Sequence, residues 1–362
     1  MAHVLFVSKP VQPPWNDSSK NLVRDVASHL RRYRGRVMVR AGAAPPEGAE
    51  ALPVYGPGAG GFGPPLLDNL RVLAALGFER RSKLWHFFFA PNPRSSAAAR
   101  LTARARRRPT VQTLCSAPPA EVDLARVLFA DVNVVLSAHT EERLRAAGIP
   151  ARRIPPAIPA IEVPSQGERI RVRAQLGLPP GPLVVYPGDL EFGGGGRRVL
   201  EAVAGLPDTH LVMACRAKTE RAASVEAELR AWADRQLGPR VSWFGETPHI
   251  HGLLGTADVV ALPSETLYAK MDYPLVLLEA MSMERPVIVA EGTPAEELAA
   301  GGGAVAVAPD TDAVREALSQ LLDDAARAAD VGAAGRAKVL AEHDPCRMAR
   351  AYEEVYDSVL SS

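Results

Sequence analysis

At 362 residues the chain is long for one core, so two domains are the default. It is 47% hydrophobic and 23% charged, as an ordinary globular protein is, and no apolar run reaches membrane-spanning length. Three isolated cysteines (Cys115, Cys215, Cys346) support neither a disulfide framework nor a zinc motif, and the five-residue run HVLFV is too short for a secretory signal, so a cytoplasmic protein is expected.

The net charge of +1 hides an asymmetry. Residues 1–160 hold 23 Lys+Arg against 11 Asp+Glu, a net of +12, and the remainder nets −11. Much of the basic excess lies in RRYRGR (31–36) and RLTARARRR (100–108). These arginines read either as solvated faces or as a basic domain that meets anionic lipid at the inner face of the membrane, or another anionic partner. Nucleic acid is disfavoured, because no aromatic interleaving or recognition-helix pattern accompanies them.

In chain order, HVLFVS is a strand and leads to a helix in which Leu22, Val26 and Leu30 recur on one face. RVMVRA is a second strand, and the Gly/Pro-rich passage 43–65 predicts loop. LWHFFFA, TVQTL and VNVVLS are further strands, and AHTEERLRAAGIP is a helix closed by Gly148 and Pro150. Four prolines within 152–167 then mark a stiff linker. Beyond it LVVYPG, THLVMAC, VSWFG, DVVALPS, RPVIVAEG and GAVAVAP read as strands buried on both faces of a parallel sheet. Helices fall between them, TPAEELAAGG among these. Two such series predict two doubly wound α/β domains facing a cleft, with the ligand at the carboxyl ends of the strands.

The run LPS, a short loop, PLVLLEAM, RPVIVAEG and a later GGGAVAVAP resembles the C-terminal domain of retaining family 4 glycosyltransferases with the GT-B fold. VSWFGE, LLGTADVVALPS and the last helix RMARAYEEVYDSV agree, and DVNVVLSAHTEERLRAAGIPARRIPPAIP resembles the end of that family's N-terminal domain. The resemblance implies an acceptor-side domain over 1–160, a nucleotide-sugar domain over 161–345, and a helix over 346–362 that packs back on the first domain. It also implies a metal-independent transfer, without cofactor, from a nucleoside-diphosphate sugar to an acceptor hydroxyl with retention of configuration. The resemblance does not identify the acceptor, which is expected to be a glycan, a lipid-linked glycan or a small molecule.

Glu279 is the one carboxylate in an otherwise apolar run, and the resemblance makes it the ligand of the donor's ribose hydroxyls, with Pro274, Leu275 and Val276 beside it. The family's first glutamate is Met271 here, which leaves Asp272 either to serve the sugar hydroxyls or to cap the following helix. The family's phosphate-binding arginine is Asp189, after Gly188, and its lysine falls within the glycines 193–196. Charge for the departing diphosphate is therefore expected from Arg216 and Lys218, with Arg197 and Arg198 as the alternative. Gly245 and Glu246 follow the next strand and complete the donor side. On the acceptor side stand Asn16, Asp17 (equally a helix cap), Lys20, His86 (equally a core histidine) and Asn92. His249 and His251 read as loop and helix-start residues rather than metal ligands, and no metal is expected. Nucleophile-elbow, zincin and dinucleotide-fold patterns are missing. The alternatives are a non-catalytic relative that binds nucleotide sugar or a membrane partner, and a nucleotide-sugar epimerase.

Overall fold

The computed structural model describes residues 1–57, 66–88, 93–119, 121–268 and 270–361, which form two units. Unit 1 comprises Met1–Ile158 and His343–Ser362, and unit 2 comprises Pro159–Glu342.

Unit 1 runs β1 (Ala2–Ser8), α1 (Ser18–His29), β2 (Tyr33–Arg40), β3 (Glu50–Tyr55), α2 (Leu66–Phe78), β4 (Ser82–Phe88), α3 (Pro93–Ala105), β5 (Thr110–Leu114), α4 (Leu124–Val127), β6 (Val132–Val135), α5 (Ala138–Ala146) and β7 (Ala151–Arg153). Its seven strands pair in parallel in the order β3-β2-β1-β4-β5-β6-β7. The strand order reverses between β1 and β4. On one face of the sheet Leu5, Val7, Met38, Trp85 and Phe87 pack against Leu76 of α2 and Ala99 and Ala103 of α3.

Unit 2 runs α6 (Gln166–Gln175), β8 (Leu183–Tyr186), α7 (Gly195–Ala204), β9 (His210–Met213), α8 (Glu220–Gln236), β10 (Val241–Trp243), α9 (Ile250–Thr256), β11 (Val259–Leu262), α10 (Leu275–Ser282), β12 (Val287–Ala290), β13 (Val305–Val307), α11 (Thr311–Asp323) and α12 (Ala325–Glu342). The order is β10-β9-β8-β11-β12-β13, again all parallel. β8, β9, β11 and β12 are buried throughout, which is why they read as unbroken apolar runs. Their order reverses between β8 and β11, and the loops that leave those two strands meet there. A final helix, α13 (Pro345–Ser361), belongs to unit 1, where it packs on α1, β4 and β5.

Three elements depart from the sequence reading. The passage read as loop over 43–65 contains β3, whose Pro53 is tolerated because β3 is an edge strand with a free side to its ladder. β7 forms just inside the stretch read as linker, also at an edge. TPAEELAAGG forms a 3-10 segment (Pro294–Gly302) rather than an α-helix, broken where Ala300 is extended and Gly301 is left-handed.

Candidate functional site

The loop after β8 is shaped by glycine. A Cβ on Gly188 would lie 2.0 Å from the Tyr186 ring, and one on Gly193 would lie 2.9 Å from both Ser264 Cβ and the Thr266 carbonyl. Gly193 and Gly194 are left-handed, at φ 75° and 64°. Tyr186, fully buried beneath the loop, donates its hydroxyl to the Asp189 carbonyl at 2.7 Å, and Asp189 Oδ1 accepts from the backbone of Glu191 and Phe192. The Gly193 carbonyl accepts from the Glu265 N–H at 3.0 Å, which ties this loop to the loop after β11. The N-cap of α7 is Gly194, which has no side chain to cap the helix's first turn.

Three cations reach this edge from separate parts of the chain. Arg216 and Lys218 follow β9, and Lys270 comes from the loop after β11. Lys270 Nζ donates to the Pro187 carbonyl at 3.1 Å. Burial, and next Lys218, push its pKa down to about 8, with Arg216 adding to the effect and Asp189 and Cys215 opposing it. Arg216 Nη1 donates to Glu246 at 2.5 Å, and Lys218 Nζ lies 3.6 Å from Asp189 Oδ2. Asp189, standing where the resembled family has an arginine, thus organises the loop and balances a lysine. Lys270 escaped the sequence reading, because only tertiary structure brings it beside residues 187 and 218.

The alternative pair is committed elsewhere. Arg197 binds Glu228 at 2.5 Å on the exposed side of α7, while Arg198 binds the Gly193 carbonyl at 2.6 Å and pairs with Glu265. Arg198 therefore ties the glycine loop down, while Arg197 joins α7 to α8.

Glu279 is the fifth residue of α10, and its side chain retains only 15% exposure. The partner that faces it is His251 in the first turn of α9, with Nε2 at 3.4 Å and a largely exposed ring. A carboxylate so covered costs stability unless something charged or hydrogen-bonding engages it. Tyr273, just before α10, donates to Glu297 at 2.5 Å, while Pro274 serves as N-cap and Val276 is half-buried in the first turn.

Two expected site residues are enclosed instead. Asp272 has 0% exposure, two residues before the N-cap Pro274 of α10, and Met271, at the position of the missing glutamate, is buried too. His86 also has 0% exposure: Nδ1 meets the Tyr356 hydroxyl at 2.8 Å, Nε2 meets Thr113 Oγ1 at 2.7 Å, and burial pulls its pKa well below the usual range. It is a satisfied core histidine, the bland reading of its position.

The remaining residues stay near loops. Gly245 is left-handed in the turn after β10, next to Glu246. In unit 1, Asp17 caps α1, accepting from the Ser19 and Lys20 backbone N–H groups, and Lys9 Nζ lies 3.0 Å away. Burial works against its charge, yet Lys9 and the hydrogen bonds from Ser19, Lys9 and Lys20 hold its pKa at about 2. Lys20 Nζ donates to the Pro14 carbonyl at 2.5 Å, Asn16 is exposed beside it, and Asn92 lies outside the described residues. Among the described residues no three His, Cys, Asp or Glu side chains are grouped to hold a metal.

Comparison with known proteins finds relatives of part of the chain and structures of the same fold. Residues 181–324 match the glycosyl transferases group 1 family. Over 220 residues the chain is 30% identical to the GDP-mannose-dependent alpha-(1-6)-phosphatidylinositol monomannoside mannosyltransferase of Mycolicibacterium smegmatis, 57% of each chain. It therefore spans little more than half the length of that relative. Anabaena HepE in complex with UDP-glucose superposes with a TM-score of 0.80 at 18% identity, over 99% of this chain and 100% of the other. Sucrose-phosphate synthase from Thermosynechococcus elongatus gives 0.78 at 20% identity over the whole of both chains. Likeness at these identities speaks to fold, and the fold is GT-B.

Proposed function

Residues 181–324 being a group 1 glycosyltransferase domain in a chain of GT-B fold, we propose that this protein transfers a sugar from a nucleoside-diphosphate donor to an acceptor hydroxyl, with retention of configuration and without a resident metal. The observation that carries the proposal is the gathering of Arg216 and Lys218, from the loop after β9, with Lys270, from the loop after β11, at the carboxyl edge of the sheet. In an open parallel sheet that edge is where ligands bind. Burial, and next the neighbouring cations, disfavour the charged form of Lys270, and an anion bound among them would favour it.

In this reading Glu279 accepts hydrogen bonds from two ribose hydroxyls, one to each carboxylate oxygen. Arg216 exchanges Glu246 for the diphosphate, Lys218 exchanges Asp189, and Lys270 turns from the Pro187 carbonyl. The acceptor oxygen bonds to the anomeric carbon as the bond from that carbon to the diphosphate breaks. The leaving phosphate oxygen takes the acceptor's proton, so no protein base is required. Three cations meet charge that grows on the leaving group, which lowers the barrier rather than tightening the ground state.

GDP-mannose, named for the Mycolicibacterium relative, is the first donor to test, and UDP-glucose, bound in Anabaena HepE, the second. With the productive donor, Arg216→Ala and Lys218→Ala should each lower kcat/KM by about 10²- to 10³-fold, and Arg197→Ala by less than about threefold. Steady-state turnover of the three variants decides it. A crippled Arg197→Ala beside silent Arg216→Ala and Lys218→Ala would move the diphosphate to the glycine loop and overturn the assignment.

A further inference from the structure

Unit 1 carries a surface that its own core does not explain. On α2, Leu67, Leu70 and Phe78 are 58%, 55% and 83% exposed, and Ala74 between them is exposed as well. At about 100° per residue these four fall within roughly 80° of arc, a continuous apolar stripe along the helix. Leu101 on α3, which packs beside α2, is 72% exposed. The opposite side of α2 already meets the core through Leu76, so the stripe is surplus to folding.

The charge around the stripe has one sign. Residues 66–108 contain ten Lys+Arg and two acidic residues, Asp68 and Glu79. Both acids are buried and engaged: Asp68 with Arg71 and the Gly56 N–H, Glu79 with Arg36 and the Arg81 and Ser82 N–H groups. Arg104 and Arg107 stay exposed, while Arg81, also exposed, donates to Glu50 at 3.1 Å. The other basic cluster differs, since Arg32 is bound to Glu353 and Asp357 and Arg36 is buried against Glu79. Of the two clusters, only the one on α3 keeps its charge beside exposed apolar side chains.

We infer that the α2–α3 face docks on an anionic phospholipid bilayer, with Leu67, Leu70, Phe78 and Leu101 entering the interface and Arg104 and Arg107 meeting the headgroup phosphates. An amphipathic helix held in the plane of the surface binds this way, through apolar area and charge acting together. None of the described helices is long and apolar enough to cross a membrane, so the contact is peripheral.

Vesicle flotation of the full chain tests it, using phosphatidylcholine alone and phosphatidylcholine with about 30% phosphatidylglycerol. Binding should require the acidic lipid and weaken as salt rises. Leu70→Ser/Phe78→Ser and Arg104→Glu/Arg107→Glu should each reduce it about tenfold or more, with melting temperatures unchanged because all four side chains are exposed. Arg31→Glu/Arg34→Glu, an equal charge change off the patch, should leave it within about twofold. Equal binding to both vesicle types, binding to neither, or an equal loss in the off-patch control would each overturn the proposal. So would a patch variant that abolishes self-association in gel filtration yet still floats, since the stripe would then belong to a second copy.

Discussion

Lys270 is the residue on which the charge argument turns, and its amine titrates close to physiological pH. Its folded pKa of about 8 lies below the free value of 10.5, so the fold disfavours its charged form. The sign follows: as pH rises from about 8 to 10.5 that penalty disappears, and stability gains while positive charge at the site is lost. A diphosphate favours the charged form, so nucleoside-diphosphate affinity should fall as pH rises from about 7 to 9, and Lys270→Arg should flatten the fall because a guanidinium stays protonated. Calorimetric titration across that range checks it. A wild-type affinity independent of pH would remove Lys270 from the phosphate. Nothing in the residues next to Lys270 announces this role, since its partners stand more than fifty positions earlier in the chain. Glu279 is different: a lone carboxylate between Leu278 and Ala280 is conspicuous in the sequence itself.

At the scale of elements, the β8–α7 turn shows how glycine sets a site. Gly193→Ala adds left-handed strain and a Cβ 2.9 Å from the Thr266 backbone, which cannot rotate away. Gly177 is also left-handed, at φ 67°, but has open space around it. Chemical denaturation should therefore show Gly177→Ala losing about 1–2 kcal/mol from backbone strain alone, and Gly193→Ala losing about 1–3 kcal/mol more through overpacking. Equal losses would mean that the two loops do not press on each other at Gly193. The same scale shows where sequence patterns stop. β3 hid in a Gly/Pro-rich passage because an edge strand needs only one paired side, and the 3-10 segment at 294–302 has a helical composition broken by an extended Ala300 and two left-handed glycines. The buried strands of unit 2 were legible because burial on both faces leaves no room for polar residues.

For the whole molecule, two parallel sheets that each reverse their order fix where ligands belong, and in the second unit the cationic residues collect at that edge. The two sheets, though not the place of Lys270, follow from alternating strand and helix patterns in the sequence. The sealing of His86 does not, because it depends on Tyr352 and Tyr356 of α13, the last element of the chain, closing over β4 and β5. Nor does the burial of Asp272, which follows from how the loop after β11 folds. The account's central claim is that unit 2 holds a nucleoside diphosphate with Glu279 on its ribose. The most direct test is isothermal titration of wild type and Glu279→Ala with GDP and UDP, with the melting temperature of each protein recorded. Wild type should bind one of the two, and the variant should bind it about 30- to 1000-fold more weakly, a loss of about 2–4 kcal/mol, while melting as wild type does. Unchanged affinity in Glu279→Ala, or no binding of either nucleotide to wild type, would contradict the account.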